Sequence, residues 1–453
     1  MFTTMLLLGC SIGISAAETP VSSTVIVSFS GTESLPNVYP MHMSVSSDTA
    51  ENFGFTDQVD PAKNVSALDV MVAFHEWYFY DEKTSFTKET AADFLEVSPE
   101  GWVSKAWTVA SWNWCFSVNG SSPHGTDMSY TVSQSVVDNG DVVDFFLYQD
   151  NMGYSDLYPW FLLNEERVTS IRVPVSSKIE LGLGGFGFMM HGADGDDVIL
   201  KNLEEIKDAK IVCIDTNTDS VVKTVNVTGK TAESFQMDKA GQYVIYAASS
   251  DKNVFVSPIP VILSVYETTN YTAMKDLSAQ AWYKDYVSEV LANGLMNGTS
   301  KTTFEPQTEL TREMFVTILY RSVGCPFTPW ASAFKDVQDP DRFSYDAICW
   351  AYNSGIVKGV SDSSFAPFNK ITREQMATIM DCYATAYGID LDQSKPFTSF
   401  KDAGKISSFA VKSVERMVKA GIFNGKENGC FAPLDFATRA EASKVIDLFY
   451  KMK

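Results

Sequence analysis

The chain has 453 residues, of which 56 are acidic and 35 are basic, so its formal net charge at neutral pH is −21. Nucleic acids and anionic lipid surfaces bind proteins through Lys and Arg, and this charge therefore argues against both as partners. The length predicts two to four domains with separate cores. Beyond the first residues, no segment reaches the roughly 18 consecutive apolar residues of a membrane span.

Residues 1–17 have the pattern of a secretory signal peptide. An apolar run over residues 5–14 is followed by small residues at 15–17, and we expect cleavage near Ala17. The usual basic n-region is missing, which a truncated segment would explain. Residues 7–10 also fit a lipoprotein cleavage box ending at Cys10, and the absence of any signal is the third alternative.

The cysteines indicate neither a disulfide framework nor a zinc site. Their number is odd, no two have CxxC spacing, and none has a histidine at ligand spacing. We expect small buried thiols and no metal or cofactor. The seven positions are Cys10, Cys115, Cys213, Cys325, Cys349, Cys382 and Cys430.

Residues 20–155 are predicted to form an α+β domain, with strands over residues 25–29 and 41–45 and a short helix over residues 66–75 that Ser66 caps. An aromatic strand then ends in Asn119-Gly120, and Gly140-Asp141 precedes another strand. This pattern resembles the C-terminal domain of transcobalamin and intrinsic factor. The resemblance implies capture of a corrinoid-like molecule as one alternative. For His75 and His124 we prefer ordinary surface or core positions to cobalt ligation.

Residues 156–268 are predicted to form an immunoglobulin-like β-sandwich, with strands over residues 242–246 and 261–265 and a hairpin turn over residues 215–219. The glycine-rich residues 182–187 are a weak phosphate-loop candidate, because no helix with a lysine follows. Residues 191–197 could bind calcium, but a solvated acidic turn is the preferred interpretation. No catalytic motif is present, so we expect no enzyme, with an anchored polysaccharide hydrolase as the alternative.

An internal repeat organises the rest of the chain. Each copy has an Asp, a large aromatic residue, two glycines four apart, Phe-x-Pro and Thr-Arg. The glycines, Phe-x-Pro and Thr-Arg shift by 61 and then by 66 residues between copies. Apolar residues at helical spacing predict one helix that ends at the first glycine and a second that begins at Thr-Arg. Thr438 with Glu441, and Thr372 with Gln375, fit capping boxes. Thr311 keeps only the forward half.

The arginine in each Thr-Arg step is unfavourable for a helix start, because the helix dipole disfavours a cation there by about 0.3–1 kcal/mol. One explanation is a salt bridge to the Asp that opens each unit. The other is bidentate binding of a carboxylate on a carbohydrate, and the two are compatible.

The repeats resemble the S-layer homology family. Residues 334–337, 355–359, 365–367 and 371–374 read as one complete family motif, and residues 400–402 through 438–441 as another. The first copy has Met274 where the family usually has Phe. The resemblance implies an all-α, pseudo-threefold module with repeats over residues 271–329, 330–395 and 396–453. It also implies a bacterial surface protein held without covalent bonds on an anionic secondary cell-wall polysaccharide, often pyruvylated, and self-assembly contacts are a further alternative.

Carried over by position, the groove residues are Asp276, Trp282, Arg312, Asp336, Phe343, Arg373, Asp402, Phe409, Arg439 and Glu441. Only the first copy keeps the family's Trp and only the third the full Thr-Arg-Ala-Glu, so we expect the grooves to bind unequally. Core packing is the alternative for Phe343 and Phe409. We also expect that replacing all three Thr-Arg arginines by Ala leaves the fold intact and abolishes wall binding.

Overall fold

The structure is a computed structural model. It describes residues 20–30, 38–60, 64–79, 86–119, 131–147, 158–164, 166–186, 210–218, 220–228, 231–232, 234–248, 260–328, 332–397 and 399–452. The predicted signal peptide, Cys10, His124 and residues 191–197 lie outside the described residues.

Three hydrophobic cores divide the described chain into two β-rich regions and one helical region. The helices are α1 (Thr49–Asn52), α2 (Ala67–Tyr78), α3 (Lys284–Ala292), α4 (Arg312–Ser322), α5 (Tyr345–Asn353), α6 (Arg373–Ala386), α7 (Val411–Lys419) and α8 (Arg439–Tyr450). The strands are β1 (Ser22–Ser30), β2 (Val38–Ser46), β3 (Val65–Ser66), β4 (Glu96–Val97), β5 (Val103–Ala106), β6 (Val109–Ala110), β7 (Trp114–Val118), β8 (Val136–Val137), β9 (Val142–Leu147), β10 (Tyr158–Leu163), β11 (Glu166–Arg167), β12 (Ser170–Pro174), β13 (Leu181–Phe186), β14 (Lys210–Asp215), β15 (Ser220–Thr228), β16 (Thr231–Ala232), β17 (Gly241–Ala248) and β18 (Val261–Tyr266).

The first region is a four-stranded sheet of order β2-β1-β9-β7 with α2 packed against it. The predicted helix is confirmed, and its capping box pairs Ser66 with Asp69. His75 on α2 is fully buried: its Nδ1 lies 2.8 Å from the carbonyl oxygen of Met71, and its Nε2 accepts the amide of Trp107 at 3.0 Å. Burial lowers the pKa of His75 to about 3. The preferred interpretation of His75 as an ordinary core histidine is therefore confirmed.

The second region is a nine-stranded sheet with the strand order β11-β10-β13-β16-β15-β14-β17-β18-β12. The predicted hairpin is confirmed, because β14 pairs antiparallel with β15, with Lys210 opposite Asn226 and Asp215 opposite Ser220 next to the turn. The glycine-rich segment forms strand β13 and pairs with β10, so it is no phosphate loop. The immunoglobulin-like assignment of this region stays a prediction.

A buried ion pair joins the two β-rich regions. Arg167 on β11 donates to the carboxylate of Asp144 on β9, whose side chain is only 1% exposed. Ser28 and Ser117 donate their hydroxyls to the same carboxylate. Because a buried carboxylate needs several donors to offset its lost hydration, this cluster fixes the second region against the first.

The helical region is a closed ring of three repeats. The second helix of each repeat packs on the first helix of the next: α4 on α5, α6 on α7, and α8 back on α3. At the centre, three backbone amides donate around a cycle, from Leu310 to Ala437, from Ala437 to Ile371 and from Ile371 to Leu310, each at 3.0 Å. The predicted pseudo-threefold symmetry is therefore present in the backbone. None of the helices in the described residues is long and apolar enough to cross a membrane.

The first β-rich region lies on the second repeat. The hydroxyl of Thr24 on β1 donates to the carbonyl oxygen of Ser354 at 3.2 Å, just after α5. The buried ring of His42 on β2 lies 6.3 Å from the ring of Trp350 and 5.0 Å from that of Tyr387. The second β-rich region contacts the ring through Ser264, whose hydroxyl donates to the carbonyl of Gly324 at 2.8 Å.

Candidate functional site

The aspartate that opens each repeat holds the Phe-x-Pro turn of the same repeat. Asp336 accepts the amides of Phe365 and Ala366 at 2.9 and 2.8 Å. The middle residue of each turn has a left-handed φ of 57°, which residues other than glycine rarely adopt. These hydrogen bonds stabilise that conformation. Burial acts to raise the pKa of the Asp336 carboxyl, but the hydrogen bonds to it act more strongly in the other direction. The pKa is therefore below its ordinary value. Asp276 and Asp402 make the equivalent bonds.

The Thr-Arg arginines are buried and connect consecutive repeats. Their Nε atoms donate to the Phe carbonyl of the next Phe-x-Pro turn: Arg312 to Phe365 at 2.9 Å, and Arg373 to Phe431 at 3.0 Å. Arg439 closes the ring by donating to the carbonyl of Phe304 in the first repeat at 2.6 Å. Each guanidinium also lies over the ring of that phenylalanine, at 4.7, 5.2 and 4.4 Å from the ring centre.

These contacts test the first interpretation of the arginines, a salt bridge to the opening aspartate. In the described residues none of the three pairs with an opening aspartate, and the ion pair found is Arg373 with Glu441 at 3.3 Å. Burial lowers the pKa of each guanidinium, and nearby carboxylates partly offset this. The hydrogen bonds described for Arg312 leave both its terminal nitrogens without a protein acceptor. A buried cation with uncommitted donors can bind an anion.

One exposed aromatic side chain stands two residues before the first helix of each repeat. Trp282 is 56% exposed, Phe343 60% and Phe409 58%. Core packing of the two phenylalanines is therefore wrong. Trp282 lines a cavity between repeats, and an exposed aromatic ring there offers a flat apolar surface to a ligand.

The groove between the third and first repeats contains a cavity of about 420 Å³. Trp282 of the first repeat, Arg373 of the second and Glu441 of the third all line it. The copy-by-copy listing of Asp276 with Trp282 and Arg312 does not give the composition of this cavity, which draws on three copies. The remaining lining residues are Ile422, Phe423, Asn424, Gly425, Lys426, Glu427, Lys444 and Val445.

Sequence reasoning missed two kinds of residue at these grooves. Lys426 and Lys444 line the cavity, but neither belongs to the repeated landmarks. The glutamate after the Thr-Arg arginine was also missed: Glu313 accepts two hydrogen bonds from Arg342, each at 2.7 Å, and one from Ser344 at 2.8 Å. Glu374 accepts from the amide and hydroxyl of Ser407. Their shared position one residue after the arginine was the available signal.

Comparison with known proteins agrees with this geometry. Residues 273–313, 333–377 and 399–443 match the S-layer homology domain family. An endoglucanase of Bacillus sp. (strain KSM-635) is 30% identical over 178 residues, which are 39% of this chain and 19% of that protein. The exoglucanase XynX of Acetivibrio thermocellus is 33% identical over 168 residues, 36% of this chain and 15% of that protein.

An S-layer protein of Bacillus thuringiensis subsp. finitimus is 28% identical over 173 residues, 38% of this chain and 20% of that protein. The chain thus spans no more than about a fifth of the length of these relatives. The matched lengths agree with the size of the helical ring. Residues 273–443 are therefore three tandem S-layer homology domains, and the chain is a cell-wall-associated surface protein of a bacterium.

Proposed function

We propose that the helical ring attaches this chain, without covalent bonds, to an anionic secondary cell-wall polysaccharide and that the β-rich regions are displayed as non-catalytic recognition or spacer modules. The observation that carries the proposal is the cavity where the exposed ring of Trp282 and the buried guanidinium of Arg373 meet. An aromatic ring can stack on the apolar face of a sugar, while a guanidinium can bind a carboxylate such as that of a pyruvylated sugar.

Local charge supports an anionic ligand even though the whole chain is strongly acidic. The cavity is lined by three cationic side chains, Arg373, Lys426 and Lys444, and by two acidic ones, Glu427 and Glu441. Burial strengthens the electrostatic interaction of Arg373 with a ligand, because water screens it less. The anionic polymer would therefore bind at this groove rather than across the surface.

The three grooves should bind unequally. At the positions equivalent to Trp282 the other repeats have Phe343 and Phe409, and at those equivalent to Lys444 they have Thr317 and Thr378. Only the groove with Trp282 therefore combines the larger aromatic ring with the additional lysine. We expect it to supply most of the wall affinity.

The test is co-sedimentation of the full chain with purified cell walls, before and after acid extraction of the secondary polymer. We expect sedimentation to depend on the polymer, and Trp282→Ala to weaken it more than Phe343→Ala or Phe409→Ala. All three side chains are more than half exposed, so these variants should fold. Trp102→Ala is the matched control, since Trp102 is 49% exposed in the first β-rich region. Undiminished binding by the Trp282→Ala, Phe343→Ala, Phe409→Ala triple variant would contradict the proposal.

Two other functions remain as alternatives for the β-rich regions. Some relatives are glucanases, and an anchored hydrolase would release reducing sugar from wall glycans. If the first region acts like the transcobalamin module that it resembles, a corrinoid should co-purify and be visible by its absorbance. Neither result is expected if these regions are recognition or spacer modules, including immunoglobulin-like ones. A lattice or other self-assembly contact would appear as concentration-dependent sedimentation of the chain alone.

A further inference from the structure

A second cavity, of about 570 Å³, lies where the first β-rich region meets the second repeat, and we name it the β2–α5 cavity. One wall comes from strand β2 and the other from the end of α5 and the loop after it. Pockets for small ligands commonly lie at such domain junctions and have volumes of about 300–1,000 Å³. The lining residues are Met43, Ser44, Tyr352, Asn353, Gly355, Val357, Lys358 and Asp362.

Several polar groups in this cavity have no structural task in the described chain. The hydroxyl of Tyr352, the ammonium of Lys358 and the carboxylate of Asp362 make no hydrogen bond or ion pair with another described residue. Lys358 and Asp362 do not pair with each other either. The ring of Tyr352 is held edge-on against Phe334, with ring centres 5.0 Å apart, and yet the side chain is 39% exposed. The cavity thus contains a fixed aromatic surface beside free donors and acceptors.

The side chains of Tyr352, Lys358 and Asp362 have no counterparts of the same kind in the other repeats. They occur only in the second repeat, on which the first β-rich region lies. The positions equivalent to Tyr352 are Leu291 and Val418, which have no hydroxyl and no aromatic ring. Those equivalent to Lys358 are both asparagine. Those equivalent to Asp362 are Lys301 and Asn428. The aromatic ring, cation and carboxylate therefore do not belong to the common repeat architecture, and they coincide with the docking of β2.

The two walls are held in a fixed relation. Thr24 donates to the carbonyl of Ser354 at 3.2 Å in a buried hydrogen bond beside the cavity. The buried ring of His42 packs on Trp350 and Tyr387 behind the same strand. A ligand would therefore enter a preformed site and would not have to bring two mobile domains together.

We propose that the β2–α5 cavity binds a single neutral sugar residue. The Tyr352 ring can pack on the apolar face of a sugar, while Lys358 donates to and Asp362 accepts from its hydroxyl groups. One positive and one negative side chain face the cavity, so a neutral ligand leaves neither charge in excess. The site is separate from the Trp282 groove, and its occupancy does not depend on the proposed wall attachment.

The experiment is titration of the full chain with glucose, galactose, mannose and N-acetylglucosamine, followed by calorimetry or saturation-transfer NMR. We expect saturable binding of at least one of these sugars, and Tyr352→Ala to weaken it at least about tenfold. Asp362→Asn, at an exposed carboxylate, should also weaken binding and is expected to fold. Ser44→Trp should block the site from the β2 side, without altering any residue of the repeats.

Trp102→Ala, at an exposed tryptophan outside both cavities, is the matched control and should bind the sugar as the unaltered chain does. The proposal is overturned if none of the four sugars binds saturably, or if binding survives both Tyr352→Ala and Asp362→Asn unchanged. Binding lost in Trp282→Ala but retained in Tyr352→Ala would place the sugar in the groove and would also overturn it. Loss of wall attachment with sugar binding retained would refute only the proposed function.

Discussion

Replacing Arg439 by Ala should open the ring of repeats at the contact between the third and the first. Arg439 is 8% exposed and donates from Nε to the carbonyl of Phe304 at 2.6 Å and from Nη2 to the carbonyl of Asn297 at 2.6 Å. No covalent link other than the intervening chain joins these repeats. The expected result is local separation of α8 from the first repeat, while the other two contacts persist.

The magnitude follows from the two hydrogen bonds. A hydrogen bond to a charged group contributes about 1.5–3 kcal/mol, so the loss of both predicts about 3–6 kcal/mol. The carbonyl of the buried Phe304 would also be left without this hydrogen-bond donor. The interaction of the guanidinium with the Phe304 ring, 4.4 Å away, would be lost as well. The expectation that the Arg312→Ala, Arg373→Ala, Arg439→Ala triple variant keeps its fold does not agree with these buried contacts, and the exposed aromatic variants are the better test of wall binding.

Hydrogen exchange measured by mass spectrometry tests this prediction in the full chain. The amides of Leu310 and Ala437 donate within the central cycle and should be protected in the unaltered chain. A local loss of 3–6 kcal/mol corresponds to at least about a hundredfold faster exchange, because about 1.4 kcal/mol is a factor of ten. Peptides from the β-rich regions should exchange as before.

Arg416→Ala is the matched control. Arg416 makes an ion pair with Asp381 at 2.7 Å, but its side chain is 38% exposed, and such surface pairs contribute less than about 1 kcal/mol. Equal exchange at Leu310 in the Arg439→Ala and Arg416→Ala variants would refute the view that the buried arginines hold the ring closed.

Three further predictions concern buried carboxylates. Asp144→Ala should cost about 3–5 kcal/mol, because it removes the buried partner of Arg167, and an unchanged thermal midpoint would contradict this. Burial raises the pKa of Asp69 to about 7, and the nearby Asp57 adds to this against opposing amide hydrogen bonds. The ordinary pKa of an Asp is about 3.9, so the folded state binds the Asp69 proton more tightly than the unfolded state does. The stability gained in this way is complete below about pH 4 and is lost as the pH rises through 7. Melting curves across this range should show that slope in the unaltered chain and not in Asp69→Asn, and equal slopes would disprove it. Glu313→Gln should lower the free energy of unfolding by at least about 2 kcal/mol through the lost bonds from Arg342. Glu374→Gln, with no arginine partner, is the control and should cost less.

The repeat and its helices could be predicted from sequence because their determinants are local. Thr372 and Thr438 cap helices that begin at the next residue, as their capping boxes predict. The constant spacing of glycines, Phe-x-Pro and Thr-Arg also predicts three equal units. These features depend on residues a few positions apart and need no knowledge of which repeats touch.

The composition of each groove could not be predicted in the same way. An offset of 61 or 66 residues shows which positions are equivalent, but not which copy's arginine faces which copy's turn. Arg439 contacts Phe304, 135 residues earlier, because the ring closes. The exposure of Phe343 was equally hidden, since an aromatic residue beside a helix start fits a core as well as a surface. The β2–α5 cavity could not be predicted either, because it forms only where two regions that share no sequence motif pack against each other.

The closed ring also brings the entrance and exit of the helical region together. The strand that leads into the ring of repeats ends at Tyr266, and α8 ends at Tyr450. The two residues are close enough that the Tyr450 phenol adds to the effect of burial in raising the pKa of Tyr266. Circular permutation at the link between the first two repeats would therefore preserve every contact between helices. An anchor with adjacent ends can carry cargo on either end of its chain, and tension from that cargo would load the α3–α8 contact before the others.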